Sequence, residues 1–406
     1  MPPYRNSRVT LVMDKKFLLS MLADHQLWLD SNRRKKQKAC FANKNLSGMD
    51  LSNTNLRHAD FSACDLSNCN LTGSDLHAAK LSGANLSGAL LKHTNLSDAN
   101  CKQASFRGAK FEKATLFHAN MRGAYFSDAV FVDTALREIS FEYANLEGVD
   151  LQGMDLRASD FKRAKLFRAN LNNTNLHDSN FSSSDLRSTS LKNAFMVEAN
   201  LANADLSKTQ LQCANLHGAN LTQASLERAN MEASDLSACD VRGAILKDAN
   251  LEGANVFAIK FDRLANYSGI RVSTCYGSAQ FRRFAQDEDF IQEFKRKHPN
   301  LYLLWYVLTD CGRSLYRVLF MSFLVTMTFS LIYFKLGAEH FNIAYLDWNL
   351  FTLFYFSVIT FTTLGFGDIA PASNLASALV MLEVIFGYMA LGVLIAILAD
   401  RIARRS

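Results

Sequence analysis

The sequence predicts a multidomain chain, in which a long repeat solenoid precedes an all-α membrane domain. Three observations lead to this fold class. An apolar residue recurs at every fifth position from Phe41 to Phe261, two later segments are apolar enough to cross a bilayer, and a short stretch with two glycines, Thr362 to Asp368, lies between them. The predicted domains are a helical cap (1–40), the repeat (41–262), a linker with an amphipathic helix (263–300) and the membrane domain (301–406).

Composition sets broad limits on the class of protein. The chain has 406 residues, a length that suggests two or three domains. Its formal net charge of +6 is too small to indicate nucleic-acid binding. The first residues lack the charged start, short apolar run and cleavage site of a signal peptide, so we expect none.

The first 38 residues combine an amphipathic run, Val9 to Leu29, with a basic run, Arg33 to Lys38. A helix that caps the end of the repeat would explain the amphipathic run, whereas attachment to a membrane surface would explain both runs. Because basic runs usually lie on a solvated face, we favour the cap.

The five-residue period has a constant composition. Of its 45 central positions, 39 are Leu or Phe. A small residue usually stands two positions earlier and Asn or Asp often stands one position earlier, as in Ala84-Asn85-Leu86 and Ala219-Asn220-Leu221. This pattern resembles the pentapeptide-repeat family over more than half of the chain. The resemblance implies a right-handed, four-sided (quadrilateral) β-helix.

The distribution of phenylalanine supports four sides independently. If one coil contains four pentapeptides, central residues twenty positions apart stack on one another. The column from Phe41 to Phe261 has Phe at six of its twelve positions, whereas the other three columns have four Phe in 33 positions. The 44 five-residue steps make 11 coils, which at about 4.8 Å per coil predict a rod about 50 Å long.

The repeat offers little chemistry of its own, because an unbroken period leaves no inserted loop in which a site would usually lie. Between Phe41 and Phe261, 22 Lys and Arg stand against 24 Asp and Glu. That balance is too even for the acidic surface with which some members of this family resemble DNA. The histidines and cysteines have no partners one coil away, so we expect neither a metal site nor disulfides. We favour a rigid spacer, or a docking rod for an unidentified cytoplasmic protein.

Two segments are predicted to cross the membrane. Val318 to Phe334 has 17 residues without a charge, and Leu375 to Leu398 has 24 residues interrupted only by Glu383. Lys335 is the one basic residue between the spans, whereas five arginines flank the pair, namely Arg313, Arg317, Arg401, Arg404 and Arg405. The positive-inside rule then places both termini in the cytoplasm. We expect a multi-pass protein of a bacterial-type inner membrane.

Two further helices are predicted before the first span. Ala279 to His298 carries an apolar stripe and is stopped by Pro299. Leu301 to Leu308 is apolar but too short to cross a bilayer. We expect it either to lie along the inner membrane surface or to extend the first span after a kink at Gly312.

The stretch between the spans is suited to coordinating an ion through its backbone. Consecutive carbonyl oxygens can point at one axis only with unusual dihedrals, and glycines at alternate positions, here Gly365 and Gly367, permit them. The residues Thr363-Leu364-Gly365-Phe366-Gly367-Asp368 resemble the selectivity filter of potassium channels, and Trp348 to Thr362 resembles their re-entrant pore helix.

The resemblance implies specific roles for the filter residues. Potassium ions would bind the oxygens of Thr363, Leu364, Gly365 and Phe366, and Asp368 would form a ring of carboxylates at the outer mouth. Phe366 departs from the Tyr of many relatives, and its ring cannot donate a hydroxyl hydrogen bond. We therefore expect a less rigid filter, which currents measured in low external potassium would reveal.

Several residues near the filter are predicted to support it. Thr362 ends the pore helix, and Phe356 packs around the filter on the family pattern. Gly387 lies 20 residues after Gly367, where the inner helix of two-span channels has a hinge, although close helix packing explains a glycine equally well. Glu383 lies one turn before Gly387, and an ionisable group inside a membrane is usually functional. We expect it to face the ion cavity or to brace the pore helix.

One filter segment cannot surround an ion, so this interpretation requires a homotetramer in the lipid bilayer. We therefore predict a tetrameric potassium channel with a cytoplasmic pentapeptide-repeat domain and no cofactor other than potassium ions. A poorly selective cation channel and a membrane-anchored docking platform are the alternatives. No nucleophile, metal or phosphate-loop constellation suggests an enzyme, and neither span has the regularly spaced arginines of a voltage sensor.

Overall fold

The structure is a computed structural model that describes residues 12–403, except for the side chains of residues 400, 401 and 403. The start of the predicted amphipathic run, residues 9–11, and the flanking Arg404 and Arg405 lie outside the described part. The described residues form two compact units, which divide between Phe290 and Ile291.

The first unit is built from coils that pair with one another along the chain. Asp60 pairs in parallel with Lys80, and Asp65 with Asn85, and the same step of twenty residues repeats on all four sides. One row of these contacts widens into two short parallel strands, β1 (Lys110–Glu112) and β2 (Val130–Val132). The right-handed, four-sided β-helix predicted from the repeat is confirmed.

The interior of the β-helix is a set of stacked columns. The central Leu and Phe side chains of the repeat are buried, as are the small residues that precede them by two positions. In the phenylalanine-rich column, the ring centroids of Phe161 and Phe181 are 4.6 Å apart and the rings are nearly parallel. Phe111 and Phe131 stack in the same way in another column, at 4.8 Å. Successive coils therefore place identical side chains at the spacing of neighbouring strands.

The Asn or Asp that precedes each centre closes the turn and links the coils. The carboxylate of Asp65 accepts a hydrogen bond from the amide of Ser67 at 3.0 Å. The side-chain amide of Asn85, one coil later, donates to the same Asp65 oxygen at 3.0 Å. These local bonds explain why short amide and carboxylate side chains are favoured at this position.

Buried cysteines fill small positions of the interior. Cys64, Cys69, Cys101 and Cys239 are buried, and none of these four forms a disulfide. Burial raises the pKa of the Cys69 thiol to about 11 and that of Cys239 to about 12. These side chains therefore act as small apolar groups rather than as reactive thiolates.

The β-helix continues past Phe261 and takes in residues 263–276, which the sequence predicts as part of the linker. Ile245 pairs with Asn266 and Asn255 with Tyr276, a step of 21 residues, so one residue is inserted and the coil then resumes. Tyr267 and Val272 are buried as further central residues. Sequence periodicity missed this coil because the insertion shifts the register and Tyr replaces the usual Leu or Phe.

Helices cover both ends of the β-helix. At the first coil, α1 (Lys15–Asp30) begins at Asp14, whose carboxylate accepts the amide hydrogen of Phe17 at 3.2 Å, and its Leu18 joins the core. At the last coil, α2 (Ala279–Lys297) places the ring of Phe281 5.3 Å from that of Phe261. Such covers protect the unpaired edges of the terminal coils.

The second unit contains the predicted membrane helices. Its elements are α3 (Pro299–Thr309), α4 (Leu315–Leu336), a 3-10 turn (Ala338–His340), β3 (Phe341–Ile343), α5 (Leu350–Phe361), β4 (Ile369–Pro371) and α6 (Asn374–Ala403). Both α4 and α6 are long and apolar enough to cross a membrane. A turn with positive φ at Asp310, Cys311 and Gly312 separates α3 from α4, so α3 does not extend the span as one helix.

His25 holds α1 on the first coil. Its ring is fully buried and stacks on that of Trp28, with centroids 5.6 Å apart. Nδ1 accepts a hydrogen bond from the amide of Ala39 at 3.1 Å, and Nε2 has no hydrogen-bond partner among the described residues. Burial lowers the pKa of His25, and repulsion from His58 and Lys38 acts in the same direction. The neutral ring is therefore the form that fits the docked helix.

Acid is expected to loosen α1. Because the docked helix disfavours protonation of His25, the undocked helix binds more protons once the pH falls below the ordinary histidine pKa of 6.5. The free energy of docking is therefore unchanged above pH 6.5 and declines below it. The equilibrium constant for opening of α1 then rises by up to about tenfold per pH unit. Hydrogen exchange of residues 15–30 at pH 7.5 and pH 5.5, corrected for intrinsic rates, measures this change.

Two variants separate His25 from other histidines. His25→Gln keeps an oxygen that can accept the Ala39 amide and should reduce the extra acid sensitivity of α1. A smaller part should remain, because burial also lowers the pKa of His58, whose ring packs on Trp28. His93→Gln removes a histidine of the repeat surface and should retain it. Equal protection of α1 at the two pH values in the unsubstituted protein would contradict the assignment.

Candidate functional site

The glycine-containing stretch, Thr362 to Asp368, connects the C-terminal end of α5 to β4. The side chain of Asn349 caps the first turn of α5, and the amides of Thr363 and Leu364 donate to carbonyls of its last turns at 3.0 and 2.8 Å. On the other side of the stretch, β4 pairs in antiparallel fashion with β3. Hydrogen bonds within the chain therefore anchor both ends of the stretch.

The backbone of the stretch alternates in handedness. Thr363, Gly365 and Gly367 have φ values of 59°, 50° and 78°, and the residues between them do not have positive φ. A Cβ added at Gly365 or Gly367 would meet no atom of the chain within 4 Å. Glycine is therefore favoured at these two positions by the backbone conformation and not by lack of space.

The stretch is exposed in the single chain. Leu364 and Phe366 have 61% and 65% of their side chains accessible, and Thr363, Gly365 and Gly367 are exposed as well. An irregular backbone within a membrane is tolerated only where protein buries it or where it lines a water-filled space. The chain by itself supplies neither environment.

Asp368 ends the stretch and turns partly into the protein. Its main-chain oxygen accepts a hydrogen bond from the amide of Ala344 at 3.1 Å. Its carboxylate interacts with the hydroxyl of Tyr355 on α5, and the Oδ1 atom is buried without a hydrogen-bond partner among the described residues. The carboxylate thus lies against α5, behind the stretch.

Glu383 connects three helices of the unit, α4, α5 and α6. The carboxylate is fully buried on α6, and the hydroxyl of Tyr333 on α4 donates to it at 2.6 Å. The hydroxyl of Ser357 on α5 contacts the other carboxylate oxygen, and the same hydroxyl lies 2.9 Å from the carbonyl oxygen of Thr326 on α4. Of the two sequence interpretations of Glu383, this geometry supports the brace behind the pore helix, since the carboxylate faces no open space in the chain.

An aromatic layer surrounds this polar contact. The ring of Phe356 on α5 lies 5.5 Å from that of Tyr333 and 5.9 Å from that of Phe341. Phe329 also packs on Tyr333, at 5.9 Å. The contact between Tyr333 and Glu383 is therefore shielded from water, which strengthens its electrostatic component.

Gly387 is a point of close contact between α6 and α5. Helix α6 continues through Gly387 without a break. A Cβ added at Gly387 would lie 2.0 Å from the carbonyl oxygen of Phe361, a main-chain atom that cannot move without displacing the end of α5. A Cβ at Gly392, the other glycine of α6, would meet nothing within 4 Å.

Sequence reasoning missed two features of this site. One is the contact of Tyr333 and Ser357 with Glu383. Their hydroxyl groups inside apolar helices could have indicated that both side chains have a polar partner. The other is the pairing of β3 with β4, together with the contact at 2.8 Å between Nδ1 of His340 and the hydroxyl of Ser373, which caps α6. These short strands are only three residues each and carry no distinctive pattern.

Comparison with protein families identifies both parts of the chain. Residues 321–404 match the family model described as "Ion channel", and residues 105–181 match "Pentapeptide repeat region". Eight copies of "Pentapeptide repeats" match in the ranges 37–73, 69–100, 84–123, 179–212 and 214–253. The chain thus contains an ion-channel domain near its C-terminal end. Pentapeptide repeats precede that domain.

Solved structures similar to the chain are pentapeptide-repeat proteins. HetL, from the cyanobacterium Nostoc sp. strain PCC 7120, is 26% identical, with 54% of this chain and 90% of HetL covered and a TM-score of 0.28. Rfr23, from the cyanobacterium Cyanothece 51142, is 36% identical, with 30% of this chain and 90% of Rfr23 covered and a TM-score of 0.16. QnrB1, a plasmid-mediated fluoroquinolone resistance protein, is 17% identical, with 56% and 92% covered and a TM-score of 0.27. No curated protein matches the chain.

Replacing Gly387 by alanine is expected to destabilise the membrane unit. The added methyl group would overlap the Phe361 carbonyl, so α6 and the end of α5 must separate, at a cost of about 1–3 kcal/mol in the free energy of unfolding. Gly392→Ala is the matched control, because the same methyl group has room there and alanine favours the helix by about 1 kcal/mol. Thermal unfolding of both variants in detergent measures the difference, and equal stability would contradict the packing role.

The hydrogen bond between Tyr333 and Glu383 is expected to show as coupling between the two side chains. A double-mutant cycle of Tyr333→Phe and Glu383→Gln should give an interaction free energy of about 0.5–3 kcal/mol in detergent unfolding. Tyr388→Phe supplies a matched control, because Tyr388 is 60% exposed and lies on α6 itself, without a described contact to Glu383. The effects of Tyr388→Phe and Glu383→Gln should add. If the effects of Tyr333→Phe and Glu383→Gln also add, the contact does not stabilise the unit.

Proposed function

We propose that four copies of this chain form a potassium-selective channel, with Thr363 to Asp368 as its filter. The observation that carries the proposal is the exposed backbone with positive φ at Thr363, Gly365 and Gly367, held at both ends by hydrogen bonds. Alternation of this kind directs successive carbonyl oxygens to one side, where they can replace the hydration shell of a monovalent cation.

The exposure of the stretch supports assembly into a tetramer. One chain contributes one row of oxygens, which covers one side of an ion, and a cyclic arrangement of four rows encloses it. The same arrangement would surround the exposed backbone with protein and ions, which is the condition for irregular backbone at membrane depth. The exposed side chains of Leu364 and Phe366 would then pack against neighbouring copies or the copies' pore helices.

The helix that precedes the filter favours a cation. The C-terminal end of α5 leads directly into Thr362 and Thr363, and helix C-termini carry partial negative charge. Contacts of α5 with Glu383 and with Gly387 hold that end in place from behind. Both features support a rigid, cation-attracting site rather than a flexible loop.

The basic flanks of the two spans support an inner-membrane location with both termini in the cytoplasm. The pentapeptide-repeat domain would then be cytoplasmic. Its closed core and balanced surface charge support a role as spacer, regulator or docking rod for a protein partner rather than for nucleic acid. Catalysis forms no part of the proposed function.

Ion flux in liposomes tests the proposal. Purified full-length protein should be tetrameric and should carry Rb⁺ or K⁺ with a permeability at least about tenfold above that of Na⁺, because a carbonyl cage favours the larger, more easily dehydrated ion. Gly365→Ala should abolish flux, since alanine rarely adopts the positive φ found there. Gly392→Ala, where the added methyl group has room, is the control and should conduct.

Other outcomes identify the alternatives. Equal K⁺ and Na⁺ permeability would indicate a poorly selective cation channel. A monomer or dimer without flux, together with a Gly365→Ala variant that retains the full cellular effect of the protein, would indicate a membrane-anchored docking platform.

A further inference from the structure

The β-helix distributes its surface charge unevenly over its four walls. Each wall is built from every fourth pentapeptide, and its outward positions are the residue before each buried centre and the two residues after it. The wall of the phenylalanine-rich column, residues 40–260, has seven Lys or Arg against four Asp or Glu. The wall that precedes it along each coil, with centres from Leu56 to Val256, has three against seven. We call the first the basic wall and the second the acidic wall.

The other two walls are closer to neutral. The wall with centres from Leu46 to Leu246 has seven basic and seven acidic residues, and the wall with centres from Leu51 to Leu251 has four and six. The repeat is therefore balanced as a whole, while its charge is separated between two walls that share an edge.

The middle of the basic wall presents lysines that are not used within the wall. Arg122 pairs with Glu142 at 2.8 Å, and its guanidinium lies 4.9 Å from the ring centre of Tyr143. Lys102 and Lys162 are exposed, and no carboxylate of the described residues lies within ion-pair distance of either. These two ammonium groups can therefore pair with carboxylates of another molecule.

The acidic wall presents carboxylates at similar heights. Asp98 and Asp178 are exposed, and each has a histidine of its own wall nearby, His77 at 3.5 Å and His177 at 3.2 Å. Glu198 is exposed and forms no ion pair with the described residues. These carboxylates are open to cations from outside the wall.

Four-fold symmetry selects which walls can meet. When four square rods surround a four-fold axis, each rod touches its neighbours through two adjacent walls, and every contact brings one of these walls against the other. A four-sided rod has four such pairs of adjacent walls. Of these pairs, only the basic wall and the acidic wall have net charges of opposite sign.

We propose that the four β-helices of the tetramer pack side by side around the four-fold axis, with the basic wall of each copy against the acidic wall of the next. The partner of each wall is thus a second copy of this chain. This inference rests on the tetramer of the proposed function and not on ion selectivity.

The symmetry also fixes the register of the contact. Rotation about the axis does not shift a copy along it, so residues of similar number, and hence of similar height on the rod, meet across the contact. Lys102 then faces the level of Asp98, and Lys162 lies between the levels of Asp155 and Asp178. Opposite charges therefore meet at more than one height.

The shapes of the two walls agree with this register. A hollow of about 480 Å³ on the basic wall is lined by Ser82, Lys102, Gln103, Arg122, Gly123 and Tyr143. Gly123 opens the hollow because it has no side chain between Gln103 and Tyr143. At the same height the acidic wall presents the partly exposed ring of Phe117. The register places this ring opposite the hollow.

Electrostatic complementarity gives this contact orientation more than strength. Single exposed ion pairs contribute little, whereas like charges brought together across an interface oppose the wrong pairing. The membrane domains hold the four copies together, so a weak contact between rods is sufficient to orient them. High salt should loosen the rods because it screens exposed charge.

Carbodiimide treatment of the full-length tetramer at pH 7.5 tests the contact, because it joins lysines to carboxylates that touch. Covalent dimers should form. Peptide links found in the dimer band and absent from the monomer band join two copies, and they should connect Lys102 or Lys162 to carboxylates of the acidic wall. Raising the salt from about 0.05 M to about 0.5 M should reduce these links.

Matched variants of the lysines identify the wall. Lys102→Gln combined with Lys162→Gln should lower the yield of covalent dimer by about twofold or more, because two cations leave the contact. Lys110→Gln combined with Lys192→Gln removes the same charge from the wall centred on Leu51 to Leu251 and should leave the yield unchanged.

Matched variants of the carboxylates test the other side. Asp98→Asn combined with Asp178→Asn should also lower the dimer yield. Asp128→Asn combined with Asp133→Asn is the control and should not. All four aspartates have positive φ, which asparagine tolerates, so the backbone is preserved in both variants.

Three results would overturn the proposal. A protein that is not tetrameric would contradict both this packing and the proposed function. Covalent dimers of a tetramer that contain no link between the two walls would contradict the packing alone, and so would equal dimer yields from the wall variants and their controls. If a variant fails to fold, the links mapped in the unsubstituted tetramer decide.

Discussion

Backbone hydrogen bonding is the constraint on which both units depend. In the β-helix each coil has a small set of amides and carbonyls that cannot pair within the coil, and the next coil satisfies them at a step of twenty residues. In the membrane unit the helices satisfy their own backbone, whereas the carbonyl oxygens from Thr363 to Gly367 accept no main-chain hydrogen bond from the described residues. An array of unpaired carbonyls is costly in a bilayer unless something replaces water as their partner. The proposed role of the filter follows from that requirement.

Two contacts in the membrane unit lie next to the proposed filter, one at Gly387 and one at Glu383. Helices in a bilayer gain little from burying apolar surface against one another, so close packing and isolated hydrogen bonds determine how they fit. Gly387 lets α6 touch the end of α5, and Glu383 links α6 to both α5 and α4. These contacts hold the end of α5, where the proposed filter begins, and would thereby connect packing to the geometry that ion coordination needs.

Much of this architecture could be predicted from the sequence because the repeat encodes local and stacked contacts at every turn. The central Leu and Phe predicted the coil, the columns and the stacked rings such as Phe161 and Phe181. The last coil was not predictable, since one inserted residue ends the five-residue period before Tyr267. In the membrane unit, the composition and the filter motif indicated the spans and the filter. The link between Tyr333 and Glu383 joins single residues fifty positions apart, and a single pair leaves no periodic signal.

The unbroken register of the β-helix also restricts how its length can change. Removing one pentapeptide would rotate every later side by a quarter turn and bring different columns into contact, so that a Phe would face a Leu-sized space. Removing four pentapeptides restores each column to its own wall. Pentapeptides can therefore be added or removed without disturbing the core only in groups of four, and the direction in which each face points is retained only then.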